Sequence, residues 1–98
     1  MAVKQYKNSG TRDIAESENS KVARRLLPLA LHKTARKALF VIDHMTSIKE
    51  LAAFPGWHLE KLKGDRIGQY SIRIDDQYRI CFIWDGTDAD NVEVVDYH

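Results

Sequence analysis

The sequence carries a single cysteine, two prolines and five glycines in 98 residues. A lone Cys81 excludes an internal disulfide and a cysteine-rich zinc site. No apolar run approaches the roughly 18 residues that a membrane-spanning helix needs. The opening Met1-Ala-Val-Lys-Gln-Tyr lacks an apolar stretch of the secretory kind, so no signal segment is expected. No glycine-rich loop follows a strand and opens a helix, because Leu62-Lys63-Gly64-Asp65 leads into a strand. His32, His44, His58 and His98 share no metal-ligand spacing, and His32 and His44 read as surface residues of a helix. No metal and no cofactor are expected. These absences point to a cytoplasmic protein with one domain over 1–98.

What is present is ordinary for a globular chain: 44% hydrophobic and 30% charged residues. A core at this length is modest, burying about 60–65% of the unfolded surface. The net charge of +1 hides an asymmetry. Residues 1–57 hold ten Lys/Arg and five Asp/Glu, whereas residues 58–98 hold five and nine. The basic half suits either a polyanionic partner or a solvated helix surface.

Val3-Lys4-Gln5-Tyr6 alternates and suits a short first strand. Residues 8–20 are polar, with room for one weak helical turn. Helical character begins at Ser20, where Ala23, Leu26 and Leu27 fall at helical spacing. Pro28 breaks it and suits the first turn of the next helix. Leu31, Ala35, Ala38, Leu39, Ile42 and Met45 then trace one face, which predicts a long amphipathic helix over 29–45. Ser47-Ile-Lys-Glu50 reads as a capping box before a short helix that ends at Phe54-Pro55-Gly56.

Beyond Gly56 the period becomes two. Tyr70, Ile72 and Ile74 form one alternating run, and Tyr78, Ile80, Phe82 and Trp84 form the next. Asp75-Asp76-Gln77 joins them, and Asn91–Tyr97 supplies a last strand. The predicted fold class is α+β: a two-layer sandwich with a short N-terminal strand, a C-terminal antiparallel meander and helices on one face. A three-residue hairpin loop pairs Ile72 with Ile80 and Tyr70 with Phe82, keeping the large apolar residues on one face. The same register sets Arg73 directly against Arg79. Such a like-charge pair calls for an anion over it or for a neighbouring carboxylate.

Lys61 and Lys63, two apart in an extended segment, are expected on one side, with Arg66 in the following loop. Together with Arg73, Arg79 and the terminal Asp96-Tyr97-His98, they make a metal-free set suited to phosphodiester cleavage. Attack by a ribose 2′-OH needs a base, a proton donor for the leaving 5′-oxygen and fixed cations for the phosphorane charge. Cys81, inside a strand, reads as a structural thiol.

Residues 56–98 resemble the HigB branch of the RelE/ParE toxin superfamily. The marks are Leu62-Lys63-Gly64-Asp65, Gly68, Ser71-Ile72, Tyr78-Arg79-Ile80, Phe82 and Asp96-Tyr97-His98. The resemblance implies the RelE-like sandwich and the toxin of a type II toxin–antitoxin pair. It implies metal-independent cleavage of mRNA in the A site of the 70S ribosome, leaving a 2′,3′-cyclic phosphate and a 5′-OH end. It also implies a HigA-type helix-turn-helix antitoxin, with operator DNA reached only through the complex. By motif, Lys63, Arg79, Asp96, Tyr97 and His98 take the catalytic positions; from their charge and placement beside these, Lys61, Arg66 and Arg73 are expected to bind phosphate. Some relatives carry a histidine where Glu60 stands; His58 is close but two residues out of register. A gyrase-inhibiting toxin of the same fold, of the ParE type, is the alternative.

Overall fold

Side-chain caps decide where the first helices start. In the computed structural model, which describes residues 2–97, the Asn8 side chain accepts from the Thr11 amide at 2.9 Å and opens α1 (Ser9–Ala15). Ser20 Oγ accepts from the Ala23 amide at 3.1 Å and opens α2 (Lys21–Leu26). Both caps satisfy amides that a helix start leaves without partners. The polar stretch over 8–20 thus forms a two-turn helix and not one weak turn. Ile14 and Thr11 are fully buried within it. Gly10 lets α2 come close: a Cβ there would stand 3.0 Å from Leu26 Cδ2 and 3.2 Å from the Val22 carbonyl oxygen.

Pro28 interrupts the helical run after α2. Leu29–Leu31 make a 3₁₀ turn that leads into α3 (His32–His44), so the expected helix over 29–45 is α-helical only from residue 32. His32 is a correction to the surface reading. It is 3% exposed, and its Nε2 donates to the Leu27 carbonyl at 2.8 Å. The proline break leaves that carbonyl without a helical partner, and the imidazole replaces one. His44 is exposed, its ring stacked on Phe40 at 4.0 Å. Ahead of α4 (Lys49–Ala52) the Glu50 half of the capping box forms, with Glu50 Oε2 accepting from the Ser47 amide at 3.0 Å and from the Thr46 amide at 2.7 Å, while Ser47 Oγ accepts from the Lys49 amide at 3.2 Å instead of the Glu50 amide.

Four antiparallel strands follow in spatial order: β1 (Glu60–Lys61), β2 (Gln69–Arg73), β3 (Tyr78–Trp84) and β4 (Ala89–Asp96). The β2–β3 register is the one predicted from the loop, with Ile72 opposite Ile80, Tyr70 opposite Phe82 and Arg73 opposite Arg79. Asp75 fixes the loop by accepting from the Gln77 and Tyr78 amides at 2.9 and 2.8 Å. Ile72, Ile80, Phe82, Val92 and Val94 join Ile14, Leu27, Leu39, Ile42 and Leu51 in one buried cluster. This is the expected α+β sandwich.

The N-terminal segment is not a regular strand. It runs parallel to β4 and makes two isolated bridges, Val3 with Ala89 and Tyr6 with Val92. The cause lies in β4, which bulges opposite the Cys81–Ile83 stretch, with Asn91 at φ 50°. Its outward amides and carbonyls recur at residues 89 and 92 instead of at every second residue. The edge is nonetheless closed: Lys4 donates to Ala89 at 2.8 Å, Lys7 to Val92 at 2.9 Å, and the Val94 amide to the buried Thr11 hydroxyl at 3.1 Å.

Candidate active site

Strand parity sorts the charged residues. Ile80 and Phe82 face the helices, so Arg79 and Cys81 stand on the other face, in rows with Arg73 and Ser71. The Arg79 guanidinium is held at two points. Nε donates to Ser71 Oγ at 2.8 Å and Nη2 donates to the His58 carbonyl at 2.8 Å. His58 reaches it because the 3₁₀ turn Pro55–Trp57 ends in a left-handed residue, His58 at φ 45°, ψ 59°. The Tyr97 ring lies 5.6 Å from the guanidinium carbon. Among the described residues no carboxylate forms an ion pair with Arg79. Its charge is oriented by neutral acceptors and remains available to an anion.

Arg73 is treated differently. It pairs with Asp76 of the hairpin loop, so the carboxylate that relieves the arginine pair comes from the loop and not from a neighbouring strand. Asp76 is almost fully exposed, and a pair of that kind is worth about 0–1 kcal/mol, weak enough to open for a phosphate. Arg73, Arg79, His58, Leu59 and Glu60 line one depression of about 520 Å³.

The end of β4 is fixed by the same hairpin. The Tyr97 amide donates to the Gln77 carbonyl at 2.7 Å, and Gln77 Nε2 donates to Asp96 Oδ2 at 3.1 Å. Asp96 stands across from Tyr78, which packs toward the core, so register puts Tyr97, and not Asp96, on the arginine face. His98 lies outside the described residues.

Lys61, Lys63 and Arg66 are not among the residues that line the depression. Lys61 stands opposite Tyr70, whose ring stacks with Phe82 on the core side. Register therefore carries Lys61 to the helix side of the sheet, away from the arginines. Lys63 is exposed where the chain enters the 3₁₀ turn Gly64–Arg66. Arg66 donates to Gln69 at 3.0 Å and to Glu93 at 3.4 Å, and Lys7 pairs with Glu93 at 3.0 Å. Glu93 is nearly buried, and two cations compensate its charge, so Arg66 is engaged in structure here. Cys81 is buried in the same row. Burial pushes its thiol above the ordinary range while Arg66 pulls the other way. Among the described residues no three His, Cys, Asp or Glu side chains cluster as metal ligands.

Sequence reasoning did not find Ser71, Gln77 or the His58 carbonyl as site elements. For Ser71 the signal was available, since the hairpin register that pairs the arginines also puts Ser71 on their face. For the other two it was not, because both act through contacts between distant segments.

Residues 4–98 match the family model for HigB-like toxins, described as RelE-like toxins of the type II toxin–antitoxin system HigB. The chain is similar to Toxin HigB-1 of Vibrio cholerae serotype O1, 33% identical over 60 residues. That stretch covers 61% of this chain and 63% of that protein, less than two thirds of the relative's length.

Proposed function

From the premise that the chain belongs to the HigB-like family of RelE-like type II toxins, we propose that it is a ribosome-dependent mRNA endonuclease that needs no metal. The observation that carries this reading is Arg79, a guanidinium fixed by Ser71 and His58, lacking a carboxylate partner among the described residues and facing a depression. A scissile phosphate between Arg79 and Arg73 would replace Asp76 as the partner of Arg73, with Lys63 approaching from the loop. Charge that develops on the phosphorane oxygens is then met by cations already in position. Tyr97, over Arg79, would seat a base or the 2′-OH, and His98 would move a proton with Asp96 orienting it.

A net charge of +1 gives weak general attraction to RNA, which favours a folded partner that presents the message. In this reading the partners are the 70S ribosome with mRNA in its A site and a HigA-type antitoxin, with operator DNA bound through the complex. The compartment is the cytoplasm. Among the described residues no helix is long and apolar enough to cross a membrane.

The test is purified protein with free RNA and with programmed ribosomes at one salt concentration. Cuts on the ribosome with 2′,3′-cyclic phosphate and 5′-OH ends support the reading, as does their loss in His98→Ala. Equal cutting of free RNA overturns ribosome dependence. Absence of cutting together with blocked gyrase supercoiling favours the ParE-type alternative.

A further inference from the structure

One row along from Arg79, the open face of the sheet carries a second cationic site, Lys7 with Arg66. We propose that these two side chains together hold a second phosphate of the RNA strand, next to the scissile one. The inference rests on the endonuclease reading and adds a contact outside the depression.

Three observations carry it. The first is the face on which the pair stands. Glu93 lies opposite Cys81, and Cys81 lies opposite Ser71, whose hydroxyl holds Arg79. Glu93 therefore points to the arginine face, where it gathers both cations: Lys7 Nζ at 3.0 Å from Oε2 and Arg66 Nη2 at 3.4 Å from Oε1. Both residues are also tied down elsewhere. The Lys7 amide donates to the Val92 carbonyl at 2.9 Å, and Arg66 Nη1 donates to Gln69 Oε1 at 3.0 Å.

The second observation is the charge. Two cations share one carboxylate, which leaves a positive charge in excess. The side chains of Lys7 and Arg66 are 56% and 30% exposed and that of Glu93 is 12% exposed, so the carboxylate lies beneath and the cations face solvent. An ammonium carries three donors and a guanidinium five, so both keep N–H groups for an anion laid over them. Glu93 is then a positioning residue that sets the two cations side by side.

The third is the spacing. Arg79 stands opposite Val95, which makes Glu93 its diagonal neighbour across β3 and β4, about 7–8 Å away. That is close to the step between neighbouring phosphates of one polynucleotide strand. The buried, uncharged Cys81 lies between the two sites. Burial raises its thiol most, while Arg66 and Arg79 both lower it, so both guanidinia act on one side chain.

The experiment is an NMR titration of the free protein, which reads weak affinities, with two 2′-deoxy ligands that cannot be cut by 2′-OH attack. A dinucleoside monophosphate offers one phosphate and a tetranucleotide offers a run of them. Wild type, Lys7→Ala, Lys7→Arg and Glu93→Gln are titrated over a range of salt, with unfolding midpoints for each. Lys7→Ala should weaken the tetranucleotide about fivefold at roughly 0.1 M salt and make its salt slope shallower by about 0.7, the worth of one phosphate contact on a single strand. The dinucleotide, seated on Arg79, should bind as before. Lys7→Arg should keep the tetranucleotide affinity. Glu93→Gln raises the local charge by one and should tighten the tetranucleotide more than the dinucleotide. Ion pairs that serve only the fold would lower the midpoints and leave the ratio of the two affinities unmoved, which overturns the proposal. So does a wild type that binds the tetranucleotide no better than the dinucleotide, or a Lys7→Ala that weakens both alike. The endonuclease reading is judged separately, by cutting on programmed ribosomes.

Discussion

Replacing Arg79 with alanine removes a contact set whose worth can be estimated. Its Nε bonds to a fully buried Ser71 hydroxyl and its Nη2 to the more exposed His58 carbonyl. Each such bond contributes on the order of 1 kcal/mol, and the buried hydroxyl is the costlier one to leave without a donor. Relief of the opposed Arg73 returns a few tenths. The net cost is about 1–2 kcal/mol, above the roughly 0.5 kcal/mol of an ordinary surface change. In a domain of this size that lowers the melting midpoint by about 4–15 °C. Cleavage should fall by about 10²–10³, the usual loss when one fixed donor to a developing anion is removed. Arg79→Lys keeps the charge but cannot reproduce the two-point fork, so it should lose most of the activity as well. Ser71→Ala keeps the guanidinium and frees one end, and should fall between. Thermal unfolding by circular dichroism and end-mapped cleavage on ribosomes read both quantities. A midpoint lowered as expected with cleavage unchanged would refute the phosphate role. An unmoved midpoint would refute the assigned hydrogen bonds.

Thr11→Val leaves the Val94 amide without its partner at the covered edge of β4, and chemical denaturation should register a loss of about 1–3 kcal/mol. The Glu50 carboxyl is held below the usual glutamate value, first by the Thr46 amide and then by the Ser47 amide. Its contribution is therefore present at neutral pH and fades as pH falls through that lowered value; Glu50→Gln should flatten the stability profile below about pH 4.5 and leave the direction of the alkaline side alone. Gln77→Ala breaks the side-chain link to Asp96 but keeps the backbone bond to Tyr97, so cleavage should drop severalfold with KM for ribosomes unchanged. Gln77→Glu sets two carboxylates together, and its deficit should shrink as pH is lowered; a deficit that ignores pH would refute the clamp.

Periodicity and turn chemistry determined much of this protein before any contact was known. The change from a period of about 3.6 to two after Gly56 separates the layers. The count of loop residues between Ile74 and Tyr78 fixes which faces pair. It also sets Arg73 against Arg79 and both away from the core, because a one-residue slip would put the apolar set in water. The Ser47–Glu50 cap is equally local. Other features depend on segments that meet only in three dimensions. α1 is stabilised by burial of Ile14 and Thr11 against α3 and β4, and nothing in its polar sequence announces that. His32 is drawn inside by a carbonyl that Pro28 leaves open. Extended spacing puts Lys61 and Lys63 on one side, but only the pairing of β1 with β2 decides that Lys61 shares the face of Tyr70 and Glu60 that of Ser71. Arg79 becomes a fixed cation only where β2, the His58 turn and the end of β4 converge on it. Sequence pattern encodes the direction in which a side chain points, whereas what it meets there is decided by packing between elements far apart in the chain.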